Sequence, residues 1–114
     1  MSTMNSEKFN TVVRSTAESI VNILATKAKE YSVNDDRLHN FNQMARVNEK
    51  TVEETIWGMA SKHLSCILDM VNGSTKPTEY LVNEKIGDMI NYLVILKAHL
   101  LNEISLPKPY IKED

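Results

Sequence analysis

The chain has 114 residues and a formal net charge of −2, from 13 Lys+Arg against 15 Asp+Glu. That length supports one hydrophobic core and a single domain over residues 1–114. That charge argues against a protein that coats polymeric nucleic acid, which would need a positive face. The single cysteine, Cys66, excludes an internal disulfide framework and a cysteine-based zinc ribbon. No uninterrupted apolar run approaches the roughly 20 residues that span a bilayer. Residues 1–6 lack the charged-then-apolar layout of a signal peptide, so the expectation is a cytoplasmic protein with no membrane partner.

Only three glycines and three prolines punctuate the chain, which predicts long elements. No segment alternates apolar and polar residues over strand length, so the pattern predicts an all-α fold. Three long helices are expected, plus a short helix in the 34–48 connection. The first covers about Glu7 to Tyr31, with Phe9, Val13, Ala17, Ile20, Leu24 and Ala28 on one apolar stripe. Val33-Asn34-Asp35-Asp36 is turn chemistry. Leu38, Phe41 and Ala45 then suit one short amphipathic helix, with Asp35 as its expected N-cap.

The second long helix opens on Thr51-Val52-Glu53-Glu54, a capping box, and stops at Asn72-Gly73. Its expected inner stripe is Val52, Ile56, Ala60, His63, Ile67 and Val71. The third begins near Thr75 to Thr78, with Pro77 in its first turn, and runs to about Ile104 before Pro107 and Pro109. From Ile86 to Leu101 it is apolar on nearly all sides. Two other long helices cannot cover it completely, which predicts a bundle completed by a homo-oligomer, a dimer or larger. Residues 1–6 and 106–114 are expected to be extended or frayed tails.

Function is sought where polar residues interrupt apolar faces. Glu84, Asp88 and Asn91 follow i, i+4, i+7 spacing and share one stripe, with Tyr92 adjacent. Two carboxylates one turn apart suit Mg²⁺ and make Glu84 and Asp88 candidate metal ligands; the alternative is a solvated acidic turn that complements the helix dipole. His63 falls on an inner stripe beside Lys62. It is either a satisfied core histidine or a donor to phosphate or carboxylate. The middle segment gathers Lys27, Lys29, Tyr31, Arg37, His39, Asn40, Phe41 and Arg46 within 20 residues. Cations for phosphates, a ring for a base and an amide for its edge suit a nucleotide, although a solvated charged loop has a similar composition. There is no glycine-rich phosphate loop, HExxH motif or nucleophile elbow. Cys66 lies three residues from His63 without an orienting acid nearby in sequence, so no nucleophilic site is expected.

Four short motifs in order carry a resemblance: Lys27 to Tyr31 as Lys-x-x-x-Tyr, Asp36-Arg37-Leu38-x-Asn40-Phe41, Gly58-Met59-x-x-Lys62-His63, and Glu84-Lys85-Ile86-x-Asp88-x-x-Asn91-Tyr92-Leu93. Together they resemble the nucleotide modification associated domain 1 family, small proteins found largely in phages and prophages, over roughly residues 25 to 102. A looser similarity is to the all-α nucleoside triphosphate pyrophosphatases of MazG type, through Glu84-Lys85-Ile86-Gly87-Asp88 ahead of an apolar helix. The departure is Lys85, which stands where those enzymes carry an acid. Their acidic pair in the preceding helix is also missing from the middle of the second long helix, where Lys62 and His63 stand.

These likenesses imply a phage-type protein in a bacterial host cytoplasm with a nucleotide, or a linear or cyclic nucleotide-derived signal, as ligand; the incomplete acid cluster, with Lys62-His63 where acids would stand, favours capture without turnover. Such a sponge would serve anti-defence. Its ligand contacts would be Lys29, Tyr31, Arg37, Asn40, Phe41, Lys62, His63, Asn91 and Tyr92. The alternative is a Mg²⁺-dependent nucleoside triphosphate pyrophosphohydrolase using Glu84 and Asp88. A purely structural docking module is the third reading.

Overall fold

The computed structural model describes residues 2–27 and 33–106; among them every named element is helical. α1 (Ser6–Ile20) continues into a π-helical segment, Val21–Lys27. α2 is His39–Val47 and α3 is Val52–Val71. α4 (Glu79–Leu81), a π-helical segment Val82–Ile86, and α5 (Gly87–Ser105) follow one another without a break in helical backbone.

Local chemistry sets most of the boundaries. Asn5 caps α1 by accepting the Lys8 amide at 2.8 Å. The Thr51 hydroxyl accepts the Glu54 amide at 3.1 Å, and the Glu54 carboxylate accepts the Thr51 amide at 3.1 Å, so the expected capping box is present. The Glu54 carboxyl is held below its ordinary value, chiefly by that backbone bond. At the far end of α3, Gly73 takes φ +86°, which a glycine adopts without a Cβ clash. The Asn72 side chain accepts the Ser74 amide there, and the Thr75 amide returns to the Asp69 carbonyl at 3.0 Å.

Two expected boundaries are corrected. Asp35 does not cap the short helix. It lies in the Val33–Asp36 turn with φ 59°, beside Asn34 at φ 53°. Leu38 is the residue before α2, and the Asp36 carboxylate accepts its amide at 2.9 Å. An acidic residue tolerant of left-handed backbone serves the tight turn better than a cap further along. Pro77 precedes the third long helical segment and does not enter its first turn. Thr78 is the cap, accepting the Leu81 amide at 3.1 Å. The expected extension of the first helix through Tyr31 and the tail from 107 onward lie outside the described residues.

α3 and α5 pack along one another, α2 lies against α3, and α1 meets α5 over a limited length. The buried apolar residues are Ala45, Ile56, Ala60 and Met70, and Ile56 is fully enclosed. Burying that side chain contributes about 1.5–3 kcal/mol. Val71, expected on the inner stripe of α3, is instead 78% exposed, while the adjacent Met70 is the buried residue at that helix end. α5 inverts its composition: Asn91 and His99 are its buried residues, while Leu93, Leu100, Leu101 and Ile104 stay exposed. None of the described helices is long and apolar enough to cross a membrane.

His99 had no signal in the sequence. Its Nε2 lies 2.8 Å from Oε2 of Glu53, 46 residues away, and its side chain is almost wholly buried. This bond ties the first turn of α3 to the middle of α5. The hydrogen bond to His99 is the main cause that holds the Glu53 carboxyl below its ordinary value.

Candidate functional site

A groove of about 1040 Å³ runs between the C-terminal end of the first helical segment, the turn before α2, α2 itself, α3 and α5. Ile23 and Leu24 of the π-helical segment form one side. Met59 and His63 of α3, with Asp88, Asn91 and Tyr92 of α5, form another. The Asp35–Phe41 stretch closes a third, and Met44 adds a soft wall that adapts to a ligand's shape.

The helical spacing of α5 explains why Asp88, Asn91, Tyr92 and Ile95 enter the same groove: they are separated by three or four residues, or adjacent on one face. His63 reaches them from α3. Its ring stacks on Tyr92, with centroids 5.5 Å apart and planes inclined by 29°. His63 Nδ1 lies 3.5 Å from Asp88 Oδ2, yet this buried nitrogen makes no hydrogen bond. Burial, with the Asp88 charge second, pushes the Tyr92 phenol above its ordinary value.

Asn91, 7% exposed, also lines two adjoining cavities. One of them, about 690 Å³, contains Tyr80, Glu84 and Asp88 as well. A hydrogen bond to Glu84, and then the Glu84 charge, hold the Tyr80 phenol above its ordinary value. Glu84 and Asp88 thus share a wall. Among the described residues no cluster of three His, Cys, Asp or Glu side chains is arranged to hold a metal ion. Two carboxylates one turn apart fit a cation that keeps several waters and takes its remaining ligands from phosphate oxygens, as Mg²⁺ commonly does. They do not make an all-protein cage.

Of the residues proposed from the sequence, Arg37, Asn40, Phe41, His63, Asn91, Tyr92 and Asp88 line the large groove, and Glu84 lines its neighbour. Lys62 is exposed and lines none of these cavities; it precedes His63 by one residue, which sets it about 100° round the helix from the groove. Lys29 and Tyr31 lie outside the described residues. Arg37 is partly committed: its Nη1 donates to the Leu24 carbonyl at 2.9 Å, which fastens the turn before α2 to the π-helical segment.

The expected basic loop reaches the described walls of the groove through Arg37, while Lys29 lies outside the described residues. The groove's described lining carries Asp35, Asp36 and Asp88 against the single cation Arg37. The Asp36 carboxylate is occupied by the Leu38 amide and, at 3.3 Å, by the Asn42 side-chain amide. Sequence proximity groups these residues along the chain without showing which side chains turn inward. The apolar walls, Ile23, Leu24, Met59 and Val94, carried no signal distinguishing them from ordinary core positions. No family model, curated protein or solved structure matches this chain.

Proposed function

We propose that this chain is a nucleotide-binding protein that holds a nucleotide, or a nucleotide-derived signalling molecule, and releases it unchanged. The observation that carries the reading is one groove containing an aromatic pair, His63 on Tyr92, together with Phe41 and two amides, Asn40 and Asn91. Stacked rings offer a base a surface worth about 1–3 kcal/mol per base, and amides fix the orientation of its edge. The order of short motifs that resembles the nucleotide modification associated domain 1 family supports the same ligand class, and with it a phage-type, sponge-like role.

The lining charge shapes how phosphates enter. A bare polyphosphate meets more carboxylates than cations on the described walls, so we read the ligand as arriving with a divalent counter-ion beside Asp88 and Glu84. This same pair favours a second reading, a Mg²⁺-dependent nucleoside triphosphate pyrophosphohydrolase. When bound, the ion would shield phosphate charge and polarise phosphoryl oxygens, with Glu84 and Asp88 as its protein ligands.

One experiment separates the readings. Nucleoside mono-, di- and triphosphates and cyclic nucleotides are screened by thermal shift with and without Mg²⁺, and the recovered ligand is chromatographed. Stabilisation with intact ligand is the expected result. Conversion of a triphosphate to monophosphate and pyrophosphate, only with Mg²⁺, establishes the enzyme instead. Absence of any shift overturns both.

A further inference from the structure

The groove is longer than one nucleoside. Along α5 its lining begins at Asp88 and ends at Asn102, a span of about 21 Å at the helical rise per residue. A base with its ribose covers roughly two helical turns, half of that length. The volume agrees: about 1040 Å³ stands at the top of the range of roughly 300–1,000 Å³ for pockets that hold drug-sized ligands.

The two ends of the groove differ in chemistry. The Glu53–His99 bond sets the start of α3 beside the later turns of α5, and α2 leads into that start, where the Lys50 amide donates to the Ala45 carbonyl. Gln43 and Met44 of α2 therefore share the far end of the groove with Ala98 and Asn102. No titratable side chain stands among these four, and the Gln43 and Asn102 residues are exposed to the cavity. At the near end stand the stacked rings of His63 and Tyr92, the amide of Asn91 and the carboxylate of Asp88. Arg37 is fastened to that end by its bond to the Leu24 carbonyl. Phe41, on the turn of α2 before Met44, adds a further ring to the lining.

We propose that the groove takes a dinucleotide, two nucleosides joined through phosphate, with one base at each end. The inference rests on the nucleotide reading and narrows its ligand. The near base stacks on the His63–Tyr92 pair, with Asn91 at its edge. The far base meets the apolar surface of Met44, Ile95 and Ala98, and its edge meets Gln43 and Asn102, whose carboxamides both donate and accept. Charge selects this ligand over a nucleoside triphosphate. A polyphosphate that runs along the groove from the near base reaches an end with no cation among the described residues. A phosphodiester bridge carries a single charge, and the Arg37 guanidinium keeps donors beyond the one given to Leu24.

Calorimetric titration of the full chain in Mg²⁺ tests the proposal. The probes are the linear dinucleotides ApA, GpG, CpC and UpU, cyclic di-AMP and cyclic di-GMP, and the mono- and triphosphates of the same four bases. The expected result is that one dinucleotide binds at least tenfold more tightly than the mono- and triphosphate of its base; whether the linear or the cyclic arm shows the gain identifies the linkage. Asn102→Ala, with its helical circular dichroism retained, should reduce that advantage at least fivefold, and Gln43→Ala repeats the measurement if Asn102→Ala loses helicity. A mono- or triphosphate that binds as tightly as every dinucleotide overturns the proposal and leaves the nucleotide reading standing. So does a dinucleotide advantage that both far-end variants leave intact. Absence of binding by every probe overturns both.

Discussion

His63 Nδ1 stands 3.5 Å from Asp88 Oδ2 without a hydrogen bond, on a ring that stacks against Tyr92. A buried nitrogen without a partner costs about 1–3 kcal/mol, which a ligand atom can relieve. His63→Ala should therefore abolish nucleotide binding while changing stability by no more than about 1–2 kcal/mol. Lys62→Ala, one residue away but facing outward, should bind like the parent. Calorimetric titration of both variants checks this; equal losses would remove the distinction between inner and outer positions.

Tyr92 offers a ring rather than a charge. Tyr92→Phe should retain affinity within about threefold, since stacking survives, whereas Tyr92→Ala should lose about 1–3 kcal/mol of binding free energy. The phenol itself is raised by burial and by Asp88. Ultraviolet titration of the parent should show two tyrosines, Tyr80 and Tyr92, ionising above the ordinary value of 10.0, and Asp88→Asn should bring Tyr92 partly back.

On the proposed reading, Asp88 would set a counter-ion requirement. If phosphates enter with Mg²⁺, chelation with EDTA should weaken nucleotide binding to the parent. Asp88→Asn removes one negative charge from the groove, so it should bind metal-free nucleotide more tightly than the parent and gain less from added Mg²⁺. Equal Mg²⁺ dependence in both proteins would place the ion elsewhere.

Outside the groove lining, the Glu53–His99 bond makes stability depend on acid. The Glu53 carboxyl lies below its ordinary value of 4.5, first because of His99. A depressed carboxyl contributes stability that is fully present above the unfolded value and is lost as pH falls through the lower folded value. Urea unfolding should thus show a loss below about pH 4.5 that is smaller in Glu53→Gln. His99→Ala should cost about 2 kcal/mol near neutrality, since it removes a buried ring as well as its bond. An unchanged acid limb in Glu53→Gln would rule the bond out as its source.

Capping is the most local of these effects. Thr51→Ala should destabilise the chain by about 1 kcal/mol, because the hydroxyl bonds an amide with no partner within the helix. Thr51→Ser should recover most of it in the same denaturation series.

The helical class, the start of α3 at Thr51 and its stop at Gly73 were legible because caps and left-handed glycines act within four residues. The stripe Glu84–Asp88–Asn91, with Tyr92 beside it, was legible for a similar reason: one helix face follows from spacing alone. What spacing cannot say is which face meets a neighbour. Lys62 and His63 are adjacent in sequence, and only the packing of α3 against α5 turns His63 into the groove and leaves Lys62 in solvent. His99 and Glu53 are 46 residues apart, so their bond exists only once the two helices lie side by side. Phe9, Val12 and Val13 read as core from their period, yet α1 meets α5 too briefly to cover them. Local hydrogen bonding and helical period are properties of a few consecutive residues, and the sequence by itself determined those. Burial, groove charge and the bare stripe depend on the distances between helices, and only the tertiary structure decided them.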